Sequence, residues 1–271
     1  MVQGVLMKKV VVFFDVEADL VSQKGENKEY LKEIYDILKE KEVSATLNVC
    51  GRVVETFPDV FKKFSEAHEL SSHTYNHENI IELDVQGLNA TLEKTENAIK
   101  KVSGKKPLGF RSPWLYTKPE LYTILEKRGY RWVSNKRIRR KEILANPSFQ
   151  FSNSIGTSVS KMLMSGYMQM QWQLFPRKPF TELGLVHIPL LSSMDGELLG
   201  QLDPNQKSSK QQIDYVISSL KKQYSESDEY FNLTFHDWIV GSENRTEILS
   251  KMLNFLNEQK CEILTASQLI Q

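Results

Sequence analysis

Five histidines and a few well-placed carboxylates carry most of the chemistry open to this chain, and their spacing narrows it. His73 and His77, within Ser71-Ser-His-Thr-Tyr-Asn-His77, stand four residues apart. On one helical turn that spacing sets both imidazoles on the same side, near enough to share a cation; the alternative is a solvated turn. Asp15 and Glu17 directly follow an apolar run, and strand alternation puts both carboxylates on one side. They mark either the start of a solvated loop or a site at the carboxyl edge of a sheet. His236, in Leu233-Thr-Phe-His-Asp-Trp238, closes another such run, where a lone histidine is more often a hydrogen-bonded structural group. Coincidence shifts that balance. Two acids, a histidine pair and a further histidine occupy the same structural position on successive elements.

Those positions need elements to hold them. Residues 10–14 form a continuous apolar run, suited to a strand covered on both faces. Tyr30, Leu31, Ile34, Tyr35 and Leu38 recur at helical spacing within 27–42. The pattern then predicts strands at 43–49, 69–72, 130–133, 184–188, 230–235 and 261–264. Between them it predicts helices at 58–67, 85–102, 118–128, 210–223 and 243–259. Such alternation implies parallel strands, hence an open α/β sheet or a barrel whose chemistry lies where strands end and loops begin. Residues 137–180 break the rhythm and read as an irregular insertion in a single domain spanning 1–271.

Composition excludes several classes. Over 271 residues, 35 Lys and Arg face 34 Asp and Glu, a formal net charge of +1. That balance argues against a nucleic-acid partner, and 40% apolar with 25% charged residues argues against disorder. Two cysteines, Cys50 and Cys261, are too few for a disulfide framework or a thiolate metal site. No apolar run approaches the roughly 20 residues of a transmembrane segment. The stretch behind Lys8 and Lys9 stops at Asp15, short of a secretion signal, so the expected location is cytoplasmic, with Met7 a candidate natural start.

Taken in order, the motifs resemble a known family, the polysaccharide deacetylases of carbohydrate esterase family 4. The likeness runs from about Lys8 to Ile270 through Phe-Phe-Asp15-Val-Glu17, Ala45-Thr-Leu-Asn-Val-Cys-Gly51 and His68-Glu-Leu-Ser-Ser-His73-Thr-Tyr-Asn-His77. Gly109-Phe-Arg-Ser-Pro-Trp114, Gly129-Tyr130 and Leu233-Thr-Phe-His236 complete it. The resemblance implies a distorted (β/α) barrel of about seven strands. It also implies a metal-dependent hydrolase that removes acetyl, or another small acyl group, from an amino sugar. One divalent ion, zinc or alternatively Co, Ni or Mn, would be held by His73, His77 and Glu17, with Asp19 in reserve for Glu17. By the same likeness Asp15 is the general base, Arg111 the partner that holds it, and His236 the general acid. The Trp114 backbone N–H would face the oxyanion, and Pro113, Trp114 and Trp238 would line the substrate groove. A surface salt bridge is the alternative for Arg111, and a plain core tryptophan the alternative for Trp114.

Two departures stand out. Many relatives carry an Asp after Gly-Tyr-x-Tyr that tunes the acidic histidine, whereas Gly129-Tyr-Arg-Trp132 here leads to Val133. Many also place Leu two residues before that histidine to receive the acyl methyl, where this chain has Thr234. Another group must therefore set the His236 pKa, and the acyl pocket differs. His187 reads as structural or groove-lining, and His68 as structural. Residues 127–141 hold eight basic side chains and no acid, either a solvated face or a site for a phosphate-bearing or lipid-linked sugar. Residues 162–175, rich in Met and aromatics, read as core packing, a flap, or an interfacial segment. The rival functions are hydrolysis of a non-sugar amide and a carbohydrate-binding relative without turnover.

Overall fold

A computed structural model describes residues 7–17, 27–138, 176–192, 210–242 and 245–271, with single positions 170, 174, 195 and 198. Asp19, most of the insertion expected at 137–180 and most of the Met-rich run lie outside the described residues. The central strand β1 (Lys8–Val16) is buried from Val10 onward on both faces, as its unbroken apolar run requires. Its alternation sorts two layers. Val10, Val12, Phe14 and Val16 pack outward against the helices, while Val11 and Phe13 point to the inner core. Asp15 and Glu17 continue the inward series.

The sheet runs β6-β7-β5-β4-β3-β2-β1-β8, and β9 also pairs with β1. These strands are β2 (Thr46–Val49), β3 (Glu69–Ser72), β4 (Gly109–Phe110), β5 (Trp132–Val133), β6 (Phe180–Glu182), β7 (Leu185–His187), β8 (Tyr230–His236) and β9 (Cys261–Leu264). All pairs are parallel except β6 with β7, an antiparallel edge that the periodicity did not predict. β8 takes one edge of β1 from Lys9 to Asp15. On the other edge β9 pairs with residues 8–11 and β2 with residues 13–16.

The sheet curls. Val11 and Phe13 of β1, Trp132 of β5, Ile188, Leu190 and Leu191 just past β7, and Tyr230 of β8 share one buried cluster. Strands this far apart in sheet order can meet only around an enclosed interior. The two ends join where Leu191 N–H donates to Asn232 Oδ1 at 2.9 Å and Tyr230 Oη–H to the Pro189 carbonyl at 3.3 Å. The outcome is the distorted, incompletely closed β/α barrel expected, with a seven-strand parallel run from β7 to β8.

Helices cover the outside: α1 (Asn27–Glu40), α2 (Gly51–Thr56), α3 (Pro58–Ala67), α4 (Val85–Ser103), α5 (Pro119–Lys127), α6 (Lys210–Ser225), α7 (Asp237–Val240), α8 (Thr246–Glu258) and α9 (Ala266–Leu269). Local chemistry sets their ends. Asp84 Oδ1 caps α4 by accepting the Gly87 N–H at 2.7 Å, and Gly104, at φ 77°, ends it in the left-handed region. No helix among the described residues is long and apolar enough to cross a membrane.

Candidate active site

Because all strands but β6 run the same way, their carboxyl ends open at one end of the barrel, and the reactive residues ride there. Asp15 and Glu17 close β1, His73 follows β3, Arg111 follows β4, Ser134 follows β5 and His236 ends β8. In register, Asp15 stands opposite His236 on one side and Asn48 on the other.

Glu17, His73 and His77 bring one ligand atom each within 4.8 Å of one another. Glu17 Oε2 lies 2.6 Å from His77 Nε2 and 3.3 Å from His73 Nε2. Burial alone would push the Glu17 carboxyl up; hydrogen bonds from both imidazoles outweigh it and hold the group well below its usual range. The His73 Nδ1 meets the Arg111 carbonyl at 2.8 Å. A carbonyl only accepts, so Nδ1 carries a proton and Nε2 is the nitrogen turned toward Glu17, the one that would present its lone pair to a cation once it gives up its own proton. One carboxylate and two imidazoles so oriented fit a divalent cation.

The histidine pair reaches this geometry without a helix. Residues 73–78 form a loop in which Thr74 (φ 64°) and His77 (φ 56°) adopt left-handed backbone. The first amides of α2 grip it: Gly51 N–H donates to the Thr74 carbonyl and Arg52 N–H to the Tyr75 carbonyl, each at 3.0 Å. From α4, Thr91 Oγ1 accepts the Tyr75 N–H at 2.8 Å.

Asp15 is 3% exposed, and both of its donors converge on Oδ1: Arg111 Nη1 and Asn48 Nδ2, each at 2.7 Å. Among the described residues Oδ2 receives no hydrogen bond. Burial favours the neutral acid, but Arg111, then His73 and His236, outweigh it and lower the pKa. Arg111 is fully buried, which removes the surface-salt-bridge alternative. Its guanidinium stacks 4.3 Å over the Phe13 ring and donates to the Ser134 carbonyl at 3.2 Å and to Ser134 Oγ at 2.9 Å.

His236 is clamped by Asp195. The carboxylate accepts from Nδ1 at 2.7 Å and from the His236 backbone N–H at 2.6 Å. Nε2 therefore faces the ligand set, 4.0 Å from Glu17 Oε1. Burial would lower the imidazole pKa; the Asp195 charge and hydrogen bond, aided by Glu17 and Asp15, reverse that and push it up to about 10. Pro113 is buried, while Trp114 is 57% exposed, its ring 4.5 Å from that of His77. The core-tryptophan alternative therefore fails. Trp238 is only partly buried and donates its indole N–H to Glu17 Oε1 at 3.2 Å, so it braces the carboxylate.

Comparison with known proteins gives a family likeness over part of the sequence and a fold likeness over nearly all of it. The sequence profile of the polysaccharide deacetylase family matches residues 5–133, the segment carrying Asp15, Glu17, His73, His77 and Arg111. This segment belongs to the polysaccharide deacetylase family. A peptidoglycan-N-acetylglucosamine deacetylase of Bacillus cereus is 30% identical over 99 residues, 36% of each chain. A chitin deacetylase of a Pestalotiopsis species is 28% identical over 109 residues, 39% of this chain and 37% of that one. The matched stretch thus spans little more than a third of those curated relatives. In fold, peptidoglycan deacetylase PdaC from Bacillus subtilis superposes with a TM-score of 0.57 over 97% of this chain and 90% of its own, at 17% identity. A chain from Mycobacterium smegmatis, assigned to the polysaccharide deacetylases, gives 0.69 over 99% and 91%, at 16% identity.

Outside the profile, the polysaccharide deacetylase likeness gives less help, and two groups at the site escaped the sequence reading. Asp195 occupies the place the missing acid near Val133 left open, reaching His236 from beyond β7 instead of β5. Its signal was the one that marked Asp15: an acid shortly after a buried strand, in Ser192-Ser-Met-Asp195. Asn48, fully buried in β2, links Asp15 to Ser71, whose Oγ–H donates to Asn48 Oδ1 at 2.5 Å. His187 is buried against Phe180 and Tyr122, and burial lowers its pKa. Of the basic run, Arg128 is committed to Glu96 through Nε at 2.6 Å, and Lys136 lies over the Phe180 ring.

Proposed function

We propose that this chain is a metal-dependent amide hydrolase that removes a small N-acyl group from an N-acylated amino sugar. The carrying observation is the convergence, at one barrel end, of the Glu17–His73–His77 set with an Arg111-held carboxylate and an Asp195-held imidazole. Zinc suits two imidazoles and one carboxylate best, with Co, Ni and Mn as alternatives. When bound, the cation supplies Lewis acidity, polarising the amide carbonyl and acidifying water.

The protein's own groups supply the proton traffic. Asp15, kept ionised by Arg111, takes a proton from the attacking water at Oδ2 as the C–O bond forms. His236, kept cationic by Asp195, gives its Nε2 proton to the departing nitrogen as the C–N bond breaks, leaving a carboxylate and a free amine. The Trp114 backbone N–H is assigned to the developing oxyanion, and the exposed Trp114 ring, 4.5 Å from that of His77, to the sugar face. The test is release of carboxylic acid and amine from N-acyl glucosamine and chito-oligosaccharides by protein titrated with each metal. Metal-loaded protein that binds chito-oligosaccharide yet releases no acid from any of these would establish the binding-only reading instead.

A further inference from the structure

Behind the acid–base pair, the inner wall of the barrel carries buried polar atoms that have no hydrogen-bond partner among the described residues. Asn232, Thr234 and His236 alternate along β8 and so share its inner face. Beside them lie residues that follow β7: Leu191, whose N–H donates to Asn232 Oδ1, Ser192 next to it, and Asp195, which binds His236. Thr234 Oγ1, Ser192 Oγ and Asn232 Nδ2 are all buried and have no hydrogen-bond partner among the described residues. A buried polar group without a partner is destabilising, so three such groups along one wall do not suit a purely apolar acyl site. Thr234 lies opposite Phe13 in register, one inward position below the Asp15–His236 pair. That is where an acyl chain would descend if its amide carbon sits between those two groups.

We propose that the acyl group this enzyme removes is small, uncharged and itself hydrogen-bonding, with an oxygen on its second carbon, as in N-hydroxyacetyl (glycolyl) rather than N-acetyl; the inference rests on the deacylase reading above. The lining supplies one obligate donor, the Asn232 amide, and two hydroxyls that donate or accept, a complement to a hydroxyl oxygen. An anionic acyl group is disfavoured, because the Asp15 carboxylate and the Asp195 carboxylate bound to His236 stand at the adjoining Asp15–His236 level, and the Arg111 cation is already engaged.

The experiment compares kcat/KM for N-glycolyl- and N-acetyl-glucosamine with metal-loaded wild type and the isosteric variant Thr234→Val. The expected result is a glycolyl preference of roughly tenfold or more that collapses in Thr234→Val. Denaturant unfolding of the metal-free proteins supplies a readout independent of turnover. With no bond to lose, Thr234→Val should keep or raise the wild-type midpoint. Acetyl turnover equal to or faster than glycolyl overturns this proposal and leaves the deacylase reading intact. A clear fall of the Thr234→Val midpoint also overturns it, since the hydroxyl would then have an internal partner. If neither sugar releases acid, the deacylase reading fails and the proposal fails with it.

Discussion

Asp15 and His236 face each other across two strands in opposite charge states, and each state is set by one buried neighbour. Arg111 keeps the carboxylate ionised against burial, and Asp195 keeps the imidazole protonated against burial. Asp15→Asn preserves an acceptor for Arg111 but cannot take a proton. Activity should fall by roughly 10²–10⁴, with metal content by elemental analysis unchanged. Metal-replete activity near wild type would remove Asp15 as the base. For His236 the sign runs the other way: the acid form is lost as pH rises through its pKa, about 10. Asp195→Asn removes the main raising influence, so the alkaline limb of kcat/KM should move to lower pH while the acidic limb stays. A bound dication lowers that limb in both proteins, so the comparison is made at one metal loading; superimposable profiles would deny Asp195 its role. Most of these residues were legible because alternation after an apolar run fixes a side chain's face. Asp195 was not, because its partner lies 41 positions away and only the curl of the sheet joins them.

At the level of elements, the histidine loop is where local pattern and structure part. Four-residue spacing suggested a helical turn, yet the loop uses two left-handed residues held by amides at the start of α2, a helix absent from the periodicity because it spans only six residues. Long amphipathic helices and buried strands were readable, since burial of one face writes itself into the sequence. Short elements held by tertiary contacts leave no period to read. Gly51 is the keystone of this junction: a Cβ there would stand 2.7 Å from Tyr75 Cδ2 and 2.9 Å from Thr95 Cα. The second contact is backbone of α4 and cannot swing away, so the loop must move. Gly51→Ala should therefore weaken metal binding by roughly ten- to a hundredfold, the scale of a lost supporting contact, with far-ultraviolet dichroism preserved. Unchanged metal affinity would show that the loop holds its shape without this close approach.

Across the whole molecule, the working end of the barrel gathers the reactive polar and charged groups, whereas the opposite end is closed by packing and by hydrogen bonds that tie the strands to the C-terminal helix. There Glu69 accepts from Trp132 Nε1 at 3.0 Å and from the Ser267 backbone N–H at 2.8 Å, tying β3 and β5 to the C-terminal helix α9. Nearby, His68 Nδ1 accepts the Ala45 N–H at 3.3 Å, with the Phe64 and Tyr35 rings around it. Burial lowers its pKa from 6.5 to about 4. Between those values the unfolded chain binds a proton that the folded chain refuses, so His68 favours folding above pH 6.5 and loses that advantage as pH falls toward 4. Linkage makes the loss about 2 kcal/mol between pH 7 and pH 5. Other buried groups titrate too, so the measurement is a difference. His68→Gln keeps a side-chain acceptor for the Ala45 amide but does not titrate, and its urea midpoint should fall less than that of wild type from pH 7 to pH 5. Parallel declines would mean that His68 is protonated in the native fold at pH 5 and that its burial does not govern acid stability.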